Sequence, residues 1–182
     1  MNLSTPRLIL RDLTHGDVTP LNRIESDPRV ARYMAFDPQT LEQTREYIER
    51  ALAQQVQQPR LTFDLAIVPV GSSELVGRCG LEIRRPEHRE ATVWYLLSPD
   101  CRGRGWAGEA VGGLLDFAFG PLNLHRVWAD CDPRNTPSCR LVERLGMRLE
   151  GRLRENWWLH GEWCDSNIYG ILADEWAARV RG

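Results

Sequence analysis

Apolar positions along the chain change period several times, and each change marks an element. Residues 7–13 alternate, with Leu8 and Leu10 set against Arg7 and Arg11, the period-two pattern of a strand. Gly16-Asp17 opens a helix carrying Leu21, Ile24 and Glu25. Asp27-Pro28 breaks it, and a short helical piece follows around Val30 to Met34. Asp37-Pro38 has the form of a cap plus first-turn proline; the helix behind it presents Leu41, Tyr47, Ile48 and Leu52 and ends near Gln57. Strands are predicted over 61–68, 75–84 and 91–97. The middle one alternates cleanly, with Leu75, Cys79, Leu81 and Ile83 on one face and Arg78, Glu82 and Arg84 on the other. Ala107, Ala110, Val111, Leu114, Leu115 and Ala118 then recur at helical spacing, and Gly120-Pro121 stops that helix.

The rest of the chain reads the same way. A strand covers 126–131. Thr136 as N-cap and Pro137 at the first helical position open a helix with Leu141, Val142 and Leu145 inward. Two long strands over 148–159 and 163–172 are joined by His160-Gly161, and a tail helix carries Trp176. The order β-α-α-β-β-β-α-β-α-β-β predicts one α/β (α+β) domain over residues 1–182. Its central sheet is mixed and mainly antiparallel, has about seven strands, and is flanked by helices.

Composition narrows the chemistry. The apolar fraction of 42% and charged fraction of 26% are ordinary for a soluble globular chain. No apolar run approaches the ~20 residues that span a bilayer, and no apolar leader segment follows Met1, so a cytoplasmic location without membrane attachment is expected. A formal charge of -2 with no evident basic patch gives no reason to expect a nucleic-acid partner. All 23 basic residues are arginine. Without lysine there is no Walker-A phosphate loop and no Schiff-base or pyridoxal chemistry. The five cysteines form no C-x-x-C pair, and the four histidines are scattered, so neither a disulfide framework nor a metal site is expected.

The segment Arg102-Gly103-Arg104-Gly105-Trp106-Ala107 sits directly between a strand and a helix. Its two glycines let the backbone approach a ligand, and the helix start behind them offers unpaired N–H groups and partial positive charge. Arg102 and Arg104 add charge. Together these features make a diphosphate cradle; a Gly-rich strand-to-helix turn is the plain structural alternative.

Arg102-x-x-Gly105-x-Ala107 resembles the Arg/Gln-x-x-Gly-x-Gly/Ala signature of the GCN5-related N-acetyltransferases. Thr5-Pro6-Arg7-Leu8-Ile9-Leu10-Arg11 looks like the opening of the subgroup similar to the ribosomal-protein N-terminal acetyltransferases. Tyr95-Leu96-Leu97-x-Pro99-x-x-Arg102-Gly103 fits that subgroup's fourth strand and loop. Asn135-Thr136-Pro137-Ser138, followed by Glu143-Arg144-Leu145-Gly146-Met147, fits its second cofactor motif, and Gly161–Asp165 with Glu175-Trp176 fits its ending. The resemblance runs over nearly the whole chain. It implies acetyl-coenzyme A as cosubstrate, no metal, a primary amine as acceptor, and a sheet splayed between its fourth and fifth strands. It also implies cofactor contacts from Leu96, Leu97, residues 102–107, Asn135, Ser138 and Arg144, with Arg140 a further candidate for the 3′-phosphate. A protein N-terminal α-amine is the first acceptor class to consider. A small-molecule amine and a non-catalytic coenzyme A-binding module are the alternatives, and monomer and homodimer both stay open.

The expected reaction is direct attack of the amine on the thioester, without a covalent enzyme intermediate. By the resemblance, an amide around Leu96 or Leu97 faces the developing oxyanion, and the Ser138 hydroxyl lies near the departing thiolate. One departure matters: the subgroup's strand glutamate is replaced by Thr92, with Glu90 two residues earlier. The base is therefore left among Glu82, Glu90, Asp165, Glu25 and ordered water, with Glu82 ranked first because it opposes the apolar face of its strand. Tyr33 and Met34 are candidates for one acceptor wall. Trp157, Trp158 and Trp163 either wall the other side or complete the core, and Glu90 is included among the acceptor contacts.

Overall fold

The fold grows from one eight-stranded sheet, and the computed structural model describes residues 1–181 of it, with side chains through Arg179. The elements, in chain order, are β1 (Asn2–Ser4), β2 (Leu8–Asp12), α1 (Val18–Glu25), α2 (Pro28–Ala31), α3 (Leu41–Gln55), β3 (Thr62–Pro69), β4 (Gly77–Arg85) and β5 (Glu90–Leu97). They continue with α4 (Trp106–Phe119), β6 (Arg126–Cys131), α5 (Thr136–Arg144), β7 (Arg148–Leu159), β8 (Glu162–Leu172) and α6 (Ala173–Arg181). The strand order is β1-β2-β3-β4-β5-β6-β8-β7. Every neighbour pair is antiparallel except β5–β6, where α4 supplies the crossover a parallel pair needs.

The β5–β6 pair positions the site. It is in register only at Glu90↔Arg126, Ala91↔Val127 and Thr92↔Trp128. Beyond Thr92 the strands part, although β5 runs on to Leu97 and β6 to Cys131. The expected splay is present. It falls between the fifth and sixth strands rather than the fourth and fifth, because the short edge strand β1 adds an eighth member. Three residues beside a turn carry too little pattern to announce such a strand.

Two cores lie on the two faces. One packs Leu10, Leu65, Leu81 and Val127 of the sheet against Val111, Leu114 and Leu115 of α4 and Val142 of α5. Each fully buried leucine contributes ~1.5–3 kcal/mol. The other packs Ala66, Val68 and Leu96 under Leu21 and Ile24 of α1 and Ile48 of α3. That second face also holds a charge: Arg78 is buried, and its Nε donates to Glu25 Oε1 at 2.7 Å, with Asp64 3.6 Å away. Arg78 also donates to the Tyr47 hydroxyl, which in turn donates to Asp64.

Two caps differ from expectation. α3 starts at Leu41 with Thr40 as N-cap in a capping box with Gln43, not at Asp37-Pro38. Thr40 and Gln43 each satisfy an orphan amide, which outweighs the weaker proline signal. α5 is capped by Asn135 rather than Thr136, its side chain accepting from Ser138 N, so Pro137 occupies the second helical position. Among the described residues, no helix is long and apolar enough to cross a membrane.

Candidate active site

Where β5 and β6 diverge, a cleft of about 950 Å³ opens. Its floor is the end of β5, one wall is the loop and first turn leading into α4, the opposite wall is the start of α5, and Arg29 to Met34 close the top. Gly103 (φ 76°) and Gly105 (φ 77°) both take the left-handed conformation that glycine alone adopts freely. A Cβ added at Gly103 or Gly108 meets nothing within 4 Å, so the concavity in front of α4 is open. Glu109 N donates to Gly105 O as the first bond of this helix, and the amides before it have no helical partner. An open cradle lined by free amides at a helix start fits a diphosphate.

The loop is stitched down from outside. Arg7 Nη1 donates to Arg104 O at 3.0 Å, and Glu109 accepts from Thr5 Oγ1 (2.6 Å), Arg7 N (2.7 Å) and Arg7 Nε (2.6 Å). Burial opposes ionisation of Glu109, but these donors outweigh it and hold the carboxyl below its ordinary value. Arg102 Nη2 donates to Arg29 O at 3.1 Å, which joins the loop to the segment closing the cleft top.

Deeper in, Ser138 and Tyr95 meet across the splay, with hydroxyl oxygens 2.8 Å apart. Ser138 Oγ is also 3.4 Å from Cys131 Sγ on β6. Burial pushes the Tyr95 phenol above its ordinary value, so it stays protonated. Burial likewise pushes the Cys131 thiol up to about 12, which makes it a poor nucleophile at neutral pH.

Of the residues singled out in the sequence, Tyr33, Leu96, Leu97, Arg102, Gly103, Gly105, Trp106, Ala107, Asn135, Ser138 and Arg144 all line this cleft, as do Met34 and Arg140. Arg104 does not; its guanidinium stacks 5.0 Å over the Trp106 ring. Glu82 lies outside the cleft and pairs with Arg84 at 2.9 Å. Glu90 is buried at the far end of β5, between Arg85 (2.5 Å) and Arg126 (3.2 Å). Glu25 is committed to Arg78, and Asp165 to Arg152 at 2.7 Å. Trp157 and Trp158 sit in the β7–β8 hairpin, off the cleft. Trp158 packs edge-on against Trp163 with centroids 5.2 Å apart, and the Trp157 indole N–H donates to Asp130 at 3.1 Å. Two features of the cleft were not singled out: Tyr95, quoted only as part of a motif, and the Thr5–Arg7–Glu109 clamp. The alternation along 91–97 already places Tyr95 on the same face as Leu97; nothing in the sequence links Glu109 to residues a hundred positions away.

Residues 7–148 match the family model described as acetyltransferase (GNAT) domain. The N-acetyltransferase p20 of Bacillus licheniformis, itself uncharacterized, is 34% identical over 176 residues, covering 96% of this chain and 98% of that protein. The structure is similar to that of a GNAT-family acetyltransferase from Bacillus anthracis, with a TM-score of 0.85, 28% identity, and 96% and 99% of the two chains covered. It shares its fold with spermidine N-acetyltransferase from Vibrio cholerae, solved with coenzyme A and spermine, at a TM-score of 0.83 and 22% identity over 95% of this chain and 99% of that one.

Proposed function

The chain belongs to the GNAT acetyltransferase family and is an N-acetyltransferase, and from that premise we propose that it transfers acetyl from acetyl-coenzyme A directly to a primary amine in a ternary complex. The observation that carries the reading is the continuity of one cleft. Its open, glycine-lined cradle leads without interruption to the Ser138–Tyr95 hydroxyl pair between parted strands. When bound, acetyl-coenzyme A supplies an activated acyl carbonyl with a thiolate leaving group.

The chain's own residues then divide the work. Amides of residues 103–108 hold the diphosphate, with Arg102 beside them and Arg144 near the nucleotide end. Asn135 and the unpaired edge of β5 align the arm. An amide at Leu96 or Leu97 faces the carbonyl oxygen; one such donor is worth ~3–4 kcal/mol in comparable sites. Ser138 donates to the departing sulfur, with Tyr95 behind it. Glu82 and Glu90, each tied to arginine away from the cleft, are not assigned the proton-accepting step; the amine loses its proton to water on the open side.

For the acceptor, the opening around Thr5–Arg11 and the ending around Gly161–Asp165 favour a protein N-terminal α-amine. A small polyamine is the second reading, supported by the spermine-bound protein of the same fold. Calorimetry with coenzyme A, followed by thiol release from acetyl-coenzyme A across an amine panel, tests the proposal. Micromolar uptake with amine-dependent release is expected. Absence of uptake would overturn the whole assignment, and uptake without release on any amine would leave only a binding module.

A further inference from the structure

Resting on the transfer reaction above, we infer that Asp130, with Trp157 bonded to it and Trp128 two residues before it on β6, binds the acceptor as an ammonium ion, and that the enzyme prefers amines with no carboxylate beside the nitrogen. Asp130 and Trp128 share the sheet face opposite the cradle. Val127, Ala129 and Cys131 of β6 point into the core under α4 and α5, so Trp128 and Asp130, which alternate with them, point the other way. Trp94 is on the same face. Its ring lies over Gly80 of β4, 2.3 Å from where a Cβ would stand, and so is turned away from β6 and leaves the gap open.

The strands part after Thr92↔Trp128, so two residues further on Trp94 and Asp130 stand on opposite banks of the gap. Trp157 reaches Asp130 from the hairpin, its indole N–H on Oδ2 at 3.1 Å. The second core draws no residue from β6, β7 or β8; on this face Ser166 and Cys164 of β8 are buried, while Asp130 stays exposed. The place is also adjacent to the reacting centre. Cys131, the next residue on β6, touches the Ser138 hydroxyl from the other side of the strand.

Pairing sets Asp130 apart from several acids around it. Its acidic neighbours each have an arginine: Asp132 and Glu162 share Arg134, Asp165 has Arg152, and Glu150 has Arg126. Among the described residues, Asp130 alone of this group has no cation within 4.0 Å, although the chain carries 23 arginines. An exposed anion beside an indole is complementary to an ammonium group through ion pairing, to which a neighbouring ring can add cation–π attraction. A carboxylate on the same acceptor would meet Asp130 with like charge. The far end of the face is bridged by His160, whose Nδ1 lies 2.8 Å from Asp37 Oδ1 and Nε2 3.2 Å from Ala31 O, so the hairpin reaches over to the segment that closes the cleft.

The test is steady-state kinetics on full-length protein with two acceptor arms, a linear diamine and a tetrapeptide amide with a free α-amine. Each is compared with a free amino acid of matched size. Asp130→Asn should raise the acceptor KM about tenfold or more and leave the acetyl-coenzyme A KM within about twofold. Asp130→Glu should recover part of the loss. In wild type, but not in Asp130→Asn, the acceptor KM should rise with added salt. Trp157→Phe, which keeps an aromatic ring and removes the N–H, should raise the acceptor KM by a smaller factor. The arm that is turned over identifies the source of the amine. An unchanged acceptor KM in Asp130→Asn, or preference for the free amino acid, overturns this inference while leaving the transferase assignment intact. Loss of acetyl-coenzyme A binding by wild type would instead be a failure of the assignment itself.

Discussion

Replacing Ser138 with alanine deletes one hydroxyl at the narrow end of the cleft. That hydroxyl is 2.8 Å from the Tyr95 oxygen and 3.4 Å from Cys131 Sγ. If it donates to the thiolate as the bond breaks, the lost interaction is a hydrogen bond to a charged acceptor, worth ~1.5–3 kcal/mol. At ~1.4 kcal/mol per decade, kcat should fall about 10- to 150-fold. Stability should barely respond. Tyr95 is only half-buried, so water replaces Ser138 as its partner, and the melting temperature should move by less than ~4 °C, the equivalent of about 1 kcal/mol in a domain of this size. Tyr95→Phe should give a smaller kinetic loss. The double variant should lose less than the sum, because the two hydroxyls form one chain. The assay is thiol release at saturating acetyl-coenzyme A, with its KM measured in parallel and coenzyme A affinity checked by calorimetry. A kcat within twofold of wild type in Ser138→Ala would refute the assigned role. So would a loss confined to KM, which would make Ser138 a binding group.

Three further outcomes follow from the geometry. Gly103→Val should weaken coenzyme A binding more than tenfold by calorimetry, since the side chain enters the open cradle; the left-handed backbone (φ 76°) adds ~1–2 kcal/mol of strain, visible as a lower melting temperature. Glu25→Ala should destabilise the fold by ~3–5 kcal/mol in urea titration, because it leaves the buried Arg78 guanidinium short of its nearest counter-charge. In acid, Asp12, Asp17, Glu109 and Asp132 all ionise below their ordinary range in the folded state; burial opposes this, and donors from Arg60, Arg11, Thr5 and Arg134 respectively lead the groups that overcome it. Their folded values lie below the unfolded ones, so the stability they add is present above about pH 5 and is lost as pH falls through ~4 and below. Melting temperatures measured from pH 7 to 3 should be flat and then drop.

The elements that set the site's frame were legible because their signals are local. Alternation along 75–84 and 91–97, the apolar stripe from Ala107 to Ala118, and Gly103 and Gly105 before it are all written within one or two turns of chain. The glycine loop, the helix behind it and the strand end that form the cleft could therefore be read from short windows. The acceptor contact proposed at Asp130 could not, since it depends on how the sheet faces are covered and on which acids find an arginine. Glu82 is polar, on a strand and opposite an apolar face, which is all a sequence shows; only the fold reveals Arg84 beside it. Asp130 reads as one more exposed strand acid until β6 is seen to leave β5 just below it. The caps of α3 and α5 moved by one to three residues for a smaller reason: several adjacent residues were eligible, and hydrogen-bond geometry chose among them.

The seam between β5 and β6 has a consequence for how the protein is handled. A ladder that runs three rungs and then stops leaves peptide groups with no partner on the facing strand. Whatever small molecule lies there knits the two halves of the sheet together, and its free energy of binding becomes part of the folding free energy. At a hundred times its dissociation constant that amounts to ~2.7 kcal/mol. The heat resistance of a purified sample should therefore track its residual nucleotide content, and stripped and loaded preparations should melt as two distinct species.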